Sequence, residues 1–379
     1  MKPEDAMRLA LAQARRAEGR CYPNPAVGAV VVRGERVLGR GFTRPAGGPH
    51  AEVVALERAT RRHGRRAVRG ATLAVTLEPC CHQGRTGPCT AALAEAGIVR
   101  VWVGHRDPHP SVAGSGLTWL RRRGLRVDVG ILEEACRYQH RGFLSRVERD
   151  RPFVALKLAA TLDGRIATKR GESRWITGAA ARERVHALRD RSDALMVGSG
   201  TVRADDPSLT VRRKGRVVRT PVRVLVDSRL SVPESATLFR DAAVAQTWVL
   251  TGRQAPLRRR RAREARGARV LAVASRSGHL DLHRALALLA REGLTQLLVE
   301  GGGGLAAALL RARLVDEVHW FAAPALLGGD ALPAIADLGL GRLAAAPQLE
   351  IRSVQRLGPD LYLHCLLRPH GERARESRS

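Results

Sequence analysis

His50-Ala51-Glu52 is followed along the chain by Pro79-Cys80 and then by Cys89. One imidazole and two thiolates supply three of the four ligands of a tetrahedral zinc, and a catalytic zinc keeps its fourth position for water. Zinc held in this way brings the pKa of water toward neutrality. Glu52, a carboxylate beside the ligands, can move protons without coordinating. The chemistry that follows is hydrolytic, the removal of an amino group from a ring carbon. Taken singly, His50 reads as a helix-terminal surface histidine and Glu52 as a carboxylate favoured by a helix N-terminus. The two cysteines turn them into one site. Residues two apart do not share a face of a regular helix, so His50 has to sit at an irregular first turn.

Zinc-dependent base deaminases carry the pattern H-x-E…P-C-x-x-C, with the glutamate off the metal. Here eight residues, not two, separate Cys80 from Cys89. Both cysteines fall near the start of a helix over Thr90–Ala96, whose positive end favours thiolates. Cys81 and His82 adjoin Cys80 and are substitute ligands by position. Tight adjacency favours one ligand per turn, so the predicted set is His50, Cys80 and Cys89, with one zinc per chain. His82 then faces substrate. Asn24, between Pro23 and Pro25, is either a plain turn residue or an amide that reads a pyrimidine edge, since it both donates and accepts.

Two glycine tracts lie in the second half. Gly301–Gly304 follows an apolar segment and precedes a helix, where backbone can approach a diphosphate and free N–H groups point outward. Taken alone it is equally a flexible turn. Gly198-Ser199-Gly200-Thr201 is a second such loop. Neither is G-x-G-x-x-G, and no N-terminal βαβ dinucleotide unit precedes them, which excludes a Rossmann reading.

The elements that must position these residues alternate. A helix opens at Pro3 and runs to about Arg16, with Glu4 and Asp5 at its positive end. The run Ala26–Val32, then Val37-Leu38, reads as a hairpin. His50 to about Arg61 reads as a helix, with Val53, Val54, Leu56 and Ala59 as its buried stripe. Strands are expected at Ala71–Leu77 and Val99–Val103. The pattern turns polar at RGFLSRVERDR near Arg141–Arg151, which places a domain boundary there. Beyond it, strands are expected at Phe153–Leu158, Ala194–Val197, Val222–Val226, Thr247–Leu250, Val270–Val273, Gln296–Val299 and Glu317–Ala322. Helices are expected at Ala179–Arg189, Leu282–Glu292 and Leu305–Arg311. Two α/β domains follow from this alternation.

Length and composition agree. The chain has 379 residues, enough for two domains, each with its own core. No apolar run is long enough for a spanning helix, and the N-terminal residues lack a signal-peptide pattern. The sequence thus predicts a soluble, cytoplasmic protein. The six cysteines are few, and three lie within ten residues, which suggests metal or thiol chemistry before a disulfide framework. Of 65 basic residues, against 36 acidic, only Lys2, Lys157, Lys169 and Lys214 are lysine; the net charge is +29. Such a surface attracts phosphates. The arginines are spread along the whole chain, however, and aromatics at 3% are too sparse for a base-stacking platform. The excess is therefore assigned to genome composition.

The segments NPAVGAVVV, HAEVVAL, TLEPCCHQGRTGPC and RDPHPSVAGSGL resemble the deaminase half of the bifunctional riboflavin-biosynthesis family RibD, in which the long cysteine spacing is usual. KLAATLDGRIAT, GESRWITG, VGSGTVRADDPSLTVR, PVRVLVDS and VEGGGGLAAALL resemble its reductase half. The resemblance spans about residues 4–367. It implies a cytidine-deaminase-like α/β/α domain over 1–147, a dihydrofolate-reductase-like α/β domain over 148–368, and a disordered tail over 369–379. It implies zinc on His50, Cys80 and Cys89, with Glu52 as proton shuttle; Cys81 stands where the family usually has serine. It implies NADPH contacts at Ala159, Trp175, Thr201, Asp205, Ser228, Gly302, Gly303, Gly304, Leu305, Ala306, Ala307 and Ala308. It implies substrate contacts at Ser173, Arg189, Leu209, Arg212 and Glu300, with Asn24 and His82 on the deaminase side. Arg189 and Arg212 can fork onto a sugar phosphate, and Lys157 is expected near the sugar. Without the resemblance, Trp175 reads as a core aromatic, Asp205-Asp206-Pro207 as a turn and each arginine as solvated. The expected activity is deamination of a diaminopyrimidine ribosyl phosphate and NADPH-dependent reduction of its ribosyl group to ribityl, in a homo-oligomer without nucleic-acid or membrane partners. One rival is a nucleic-acid deaminase such as a tRNA editor, which has no need of the second half. Another is a degenerate, non-catalytic basic binding module, against which the intact zinc residues stand.

Overall fold

A computed structural model describes residues 1–368 apart from 84–86, 174, 243–244 and 277; the tail 369–379 lies outside the described residues. The chain divides into two compact units. One comprises residues 1–152 with 290–295, the other 153–289 with the residues after 295.

The first unit is built on a five-stranded sheet. Its strands are β1 (Gly28–Arg33), β2 (Arg36–Phe42), β3 (Thr72–Val75), β4 (Arg100–Val103) and β5 (Arg126–Val129), in the order β2-β1-β3-β4-β5. β1 pairs antiparallel with β2 and β3, while β3, β4 and β5 run parallel. Strand side chains alternate between faces, and β1 shows what that does here. Val30 and Val32 pack with Ala6, Met7 and Ala10 of helix α1 (Pro3–Ala14). Ala29 and Val31 pack with Ala51, Ala55 and Leu56 of helix α2 (Ala51–His63). Helices thus cover both faces, an α/β/α layering. Gly41 lets the layers close up: a Cβ there would lie 2.1 Å from the Ala51 carbonyl oxygen, so glycine sets how near the start of α2 comes to the sheet.

The polar segment RGFLSRVERDR, where the boundary is expected, holds the helix Arg141–Arg149, whose Phe143 and Leu144 join the core of the first unit, and that unit's main segment ends just beyond it at residue 152. Two adjacent apolar residues per turn suffice to dock a helix whose other faces are solvated.

The second unit carries a nine-stranded sheet. Its order is Arg269–Val273, Thr247–Gly252, Val222–Val226, Ala194–Gly198, Gln296–Val299, Phe153–Thr161, Glu317–Ala323, Asp360–Leu367, Leu349–Leu357. The first seven are parallel to their neighbours and the last two antiparallel. The central parallel strands Ala194–Gly198, Val222–Val226, Thr247–Gly252 and Gln296–Val299 are mostly apolar and buried on both faces. The closing hairpin went unread because Leu349–Leu357 is mostly exposed, with Glu350, Ser353 and Leu357 half-buried, and has no apolar run. Among the described residues, no helix is long and apolar enough to cross a membrane.

Candidate active sites

In the first unit, His50 precedes α2 in extended conformation, with φ −72° and ψ 165°. This is the irregular position that the i, i+2 spacing demanded. Because His50 is outside the helix, its ring and the buried Glu52 carboxylate in the first turn reach one place. Cys89 is the first residue of the helix Cys89–Glu95, and Cys80 lies on the loop after β3. His50 Nδ1 is 3.3 Å from Cys89 Sγ and 3.5 Å from Cys80 Sγ. The three ligand atoms lie within 4.8 Å of one another, and one nitrogen and two sulfurs are a zinc donor set.

The electrostatics fit a cation at that point. Facing the Cys89 thiol, with His50 and the Cys89 backbone N–H adding to the effect, the Cys80 thiol is pulled down to about 4. Cys89 is driven up by the same contact and by burial, so one charge is shared between two sulfurs. Hydrogen bonding to Cys80 raises His50. Burial pushes Glu52 up to about 7, against the pull of His50. Cys81 stands outside this cluster, and partial burial raises its thiol. Asn24 is half-buried, with its backbone N–H on the Cys21 carbonyl; His82 is exposed. No hydrogen bond ties either side chain to the cluster among the described residues.

Glu78, inside TLEPC, was missed by the sequence reading. It is buried, and its carboxylate accepts the backbone N–H groups of Asp107, Gly114, Gly116 and Leu117 at 3.0–3.2 Å. This fixes the 107–117 segment against the loop that carries Cys80. A lone acidic residue beside a ligand motif gives no sequence signal of such a role.

In the second unit, residues far apart in sequence meet at one edge of the sheet. Thr201, Ser228 and Glu300 follow the carboxyl ends of three neighbouring parallel strands, and Ala159 lies near the carboxyl end of a fourth, Phe153–Thr161. Open α/β sheets take ligands at that edge. Gly302 precedes the helix Gly303–Arg311 in extended conformation and makes no side-chain cap. Its N–H donates to Thr201 Oγ1 at 2.9 Å, which joins the two glycine tracts. A Cβ on Gly304 or Gly200 would meet nothing within 4 Å, so backbone there faces open space suited to a diphosphate. Leu305 is half-buried; Ala306 and Ala307 are buried in the helix, and Ala308 is half-buried.

Trp175 is 74% exposed, so it is no core aromatic; Arg182 lies over its ring at 4.7 Å. Ser173 Oγ donates to Asp205 at 3.4 Å. Asp206 instead accepts from the Thr237 N–H and hydroxyl, which is the turn role. The buried Glu300 carboxylate receives Arg189 Nε at 2.6 Å and Nη2 at 2.9 Å, with Lys157 Nζ at 3.6 Å. Burial alone would raise Glu300, but Arg189 and Lys157 outweigh it and hold the carboxyl at about 2. Arg189 Nη1 donates to the Thr210 carbonyl. The fork expected on a sugar phosphate is therefore aimed at Glu300, while Arg212 is exposed. Leu209 has its side chain in the core, leaving only backbone for a ligand. His186, also missed by the sequence reading, accepts the Arg212 N–H at 3.1 Å beside this cluster.

Comparison with known proteins adds the following. Residues 152–363 match the RibD C-terminal domain, and residues 1–105 match the cytidine and deoxycytidylate deaminase zinc-binding region. The riboflavin biosynthesis protein RibD of Escherichia coli (strain K12) is 40% identical over 96% of this chain and 99% of its own length. That of Bacillus amyloliquefaciens is 39% identical over 94% of both chains. Among solved structures, RibD of Acinetobacter baumannii, form 1, superposes with a TM-score of 0.85 at 35% identity, covering 97% and 99% of the two chains. A diaminohydroxyphosphoribosylaminopyrimidine deaminase/5-amino-6-(5-phosphoribosylamino)uracil reductase from Thermotoga maritima gives 0.83 at 35% identity, covering 96% and 98%.

Proposed function

This chain belongs to the RibD family, the bifunctional deaminase–reductases of riboflavin biosynthesis, and on that footing we propose which of its residues carry each reaction. The observation that carries the reading is that each unit holds its own polar cluster: His50, Cys80 and Cys89 with Glu52 in one, Glu300 with Arg189 and Lys157 in the other.

The first substrate is 2,5-diamino-6-(5-phosphoribosylamino)pyrimidin-4(3H)-one, deaminated to 5-amino-6-(5-phosphoribosylamino)uracil. His50, Cys80 and Cys89 would hold the zinc, whose Lewis acidity would make water a nucleophile near neutral pH. Glu52 takes a proton from water and returns protons to the ring nitrogen and the departing amine. Its carboxyl, raised to about 7 by burial, suits both directions of transfer. Asn24 and His82 contact the pyrimidine. Glu78 touches neither substrate nor ligand; it holds the loops that do.

In the second reaction bound NADPH would supply the hydride for the opened ribosyl carbon, and solvent the proton for its oxygen, to give the ribityl product. The Gly302–Ala308 stretch, Ala159, Thr201 and Ser228 receive the cofactor at the strand ends, with Trp175 and Asp205 at its rim. Ser173, Leu209 and Glu300 contact the substrate. Arg212 clamps its phosphate, and Arg189 positions Glu300 as well as lining the pocket. Lys157, held 3.6 Å from Glu300, lies beside the sugar. We place the enzyme in the cytoplasm as a homo-oligomer acting on small molecules.

The test is to supply the diaminopyrimidine ribosyl phosphate with and without NADPH and to identify products by mass. Without NADPH the deaminated ribosyl compound accumulates with one ammonia released; with it, the ribityl compound forms. Deamination of an RNA in place of this substrate would favour the tRNA-editor reading.

A further inference from the structure

A second group of ligating side chains lies in the reductase unit, away from the strand ends that the reaction uses. Glu317 and His319 are two apart on the strand Glu317–Ala323, so they face the same way. His364 stands directly opposite His319 on the antiparallel strand Asp360–Leu367. The carboxylate and both imidazoles converge, with all three ligand atoms within 4.8 Å. Glu317 is 1% and His319 6% exposed. A carboxylate removed from water to this degree needs a cation or strong donors.

We propose that Glu317, His319 and His364 form a second divalent-metal site of the zinc class, which clamps the C-terminal hairpin to the rest of the sheet. Three geometric facts carry this. First, His319 Nε2 lies 3.4 Å from Glu317 Oε1. Two ligands about 2.0–2.1 Å from one tetrahedral ion are about 3.3 Å apart, so these atoms already stand at ligand spacing. Second, the other ring nitrogen of His319, Nδ1, is 2.8 Å from the Tyr362 hydroxyl. Metal-bound histidines carry such an outer partner, which fixes the tautomer and turns the free lone pair toward the ion. Third, His364 Nε2 makes a direct contact with the same Glu317 oxygen, closer than two ligands of one ion stand, so His364, whose side chain is 18% exposed, has to draw back as the ion enters. Two histidines with one carboxylate are a zinc donor set. Binding displaces the proton that an imidazole otherwise shares with Glu317. The ion cross-links two strands far apart in sequence, and the site needs neither NADPH nor substrate.

The test uses the full chain carrying Cys80→Ser and Cys89→Ser, which removes the thiolates of the deaminase site. After chelation and dialysis, Co²⁺ is titrated in and followed by visible absorption. One equivalent is expected, with ligand-field bands and no thiolate charge-transfer band. Adding His364→Gln should abolish saturable binding; Tyr362→Phe should weaken it about tenfold. The unsubstituted chain gives an independent reading after zinc loading: two equivalents, falling to one in His364→Gln with the deaminase zinc retained. One equivalent in both chains, or Co²⁺ bound equally well without His364, would overturn the proposal and leave an all-protein hydrogen-bond network.

Discussion

Arg189→Met leaves the Glu300 carboxylate buried with Lys157, at 3.6 Å, as its remaining ion-pair partner among the described residues. In the intact protein Glu300 is held at about 2 against an ordinary value of 4.5. That difference is worth about 3 kcal/mol at neutral pH, at roughly 1.4 kcal/mol per unit. Breaking a buried pair by removing one partner costs about 3–5 kcal/mol, while an exposed pair is worth about 0–1 kcal/mol. With both side chains under a fifth exposed, the buried case applies. The variant should therefore lose about 3 kcal/mol at pH 7. The sign with pH follows from linkage. A depressed carboxyl gives stability that is complete above the unfolded pKa of 4.5 and lost as pH falls through about 2. In Arg189→Met, Glu300 titrates higher, so its disadvantage should shrink as the pH is lowered. Urea unfolding of both proteins at several pH values, followed by a signal from the reductase unit, measures the gap. A loss below about 1 kcal/mol at pH 7, or a gap that stays constant down the pH series, would refute the buried-pair reasoning.

Other outcomes follow from the same structure. Cys89→Ser should lose the deaminase zinc while Cys81→Ser keeps it, by metal analysis, because only Cys89 lies in the ligand cluster. Gly303→Ala should be destabilising by calorimetry, since its Cβ would sit 2.5 Å from the Pro333 carbonyl oxygen. Gly304→Ala, in open space, should leave the melting temperature unchanged yet weaken NADPH binding in a fluorescence titration. His105 and His140 are 1% exposed; burial lowers His105 to about 4 and His140 well below 6.5. Their neutral forms stabilise the fold above 6.5, and that stability is lost as pH falls toward 4, at about 1.4 kcal/mol per pH unit for each proton. Denaturant melts of His140→Gln should show a shallower loss over that window.

What could be read from sequence was local. Apolar runs such as Val222–Val226 and Gln296–Val299 mark buried parallel strands by composition alone, and both appear with the expected bounds. That His50, Glu52, Cys80 and Cys89 come together was legible because metal chemistry restricts residue type and spacing together. Pairings across long separations were not. Arg189 meets Glu300 across 111 positions, and nothing near either residue announces it. Arg223 in VRVLV is charged and carries no sequence signal of burial, yet it is fully buried, donating to Thr247 Oγ1 and to the Leu238 and Ala245 carbonyls. Tertiary acceptors override an expectation based on charge alone. Glu78 escaped for the same reason, because its four partners are backbone N–H groups more than twenty-five positions away.

If the two chemistries reside on separate clusters, Glu52→Gln separates them in one variant. The variant keeps the side chain's size and removes the proton-transferring carboxylate. Deamination of the diaminopyrimidine ribosyl phosphate should fall by at least about a hundredfold. Zinc should remain bound, since Glu52 is not among the ligands. NADPH-dependent reduction of the deaminated intermediate, supplied directly, should proceed at the unsubstituted rate. Loss of both activities in a folded, zinc-loaded Glu52→Gln protein would contradict the claim and point to one shared site.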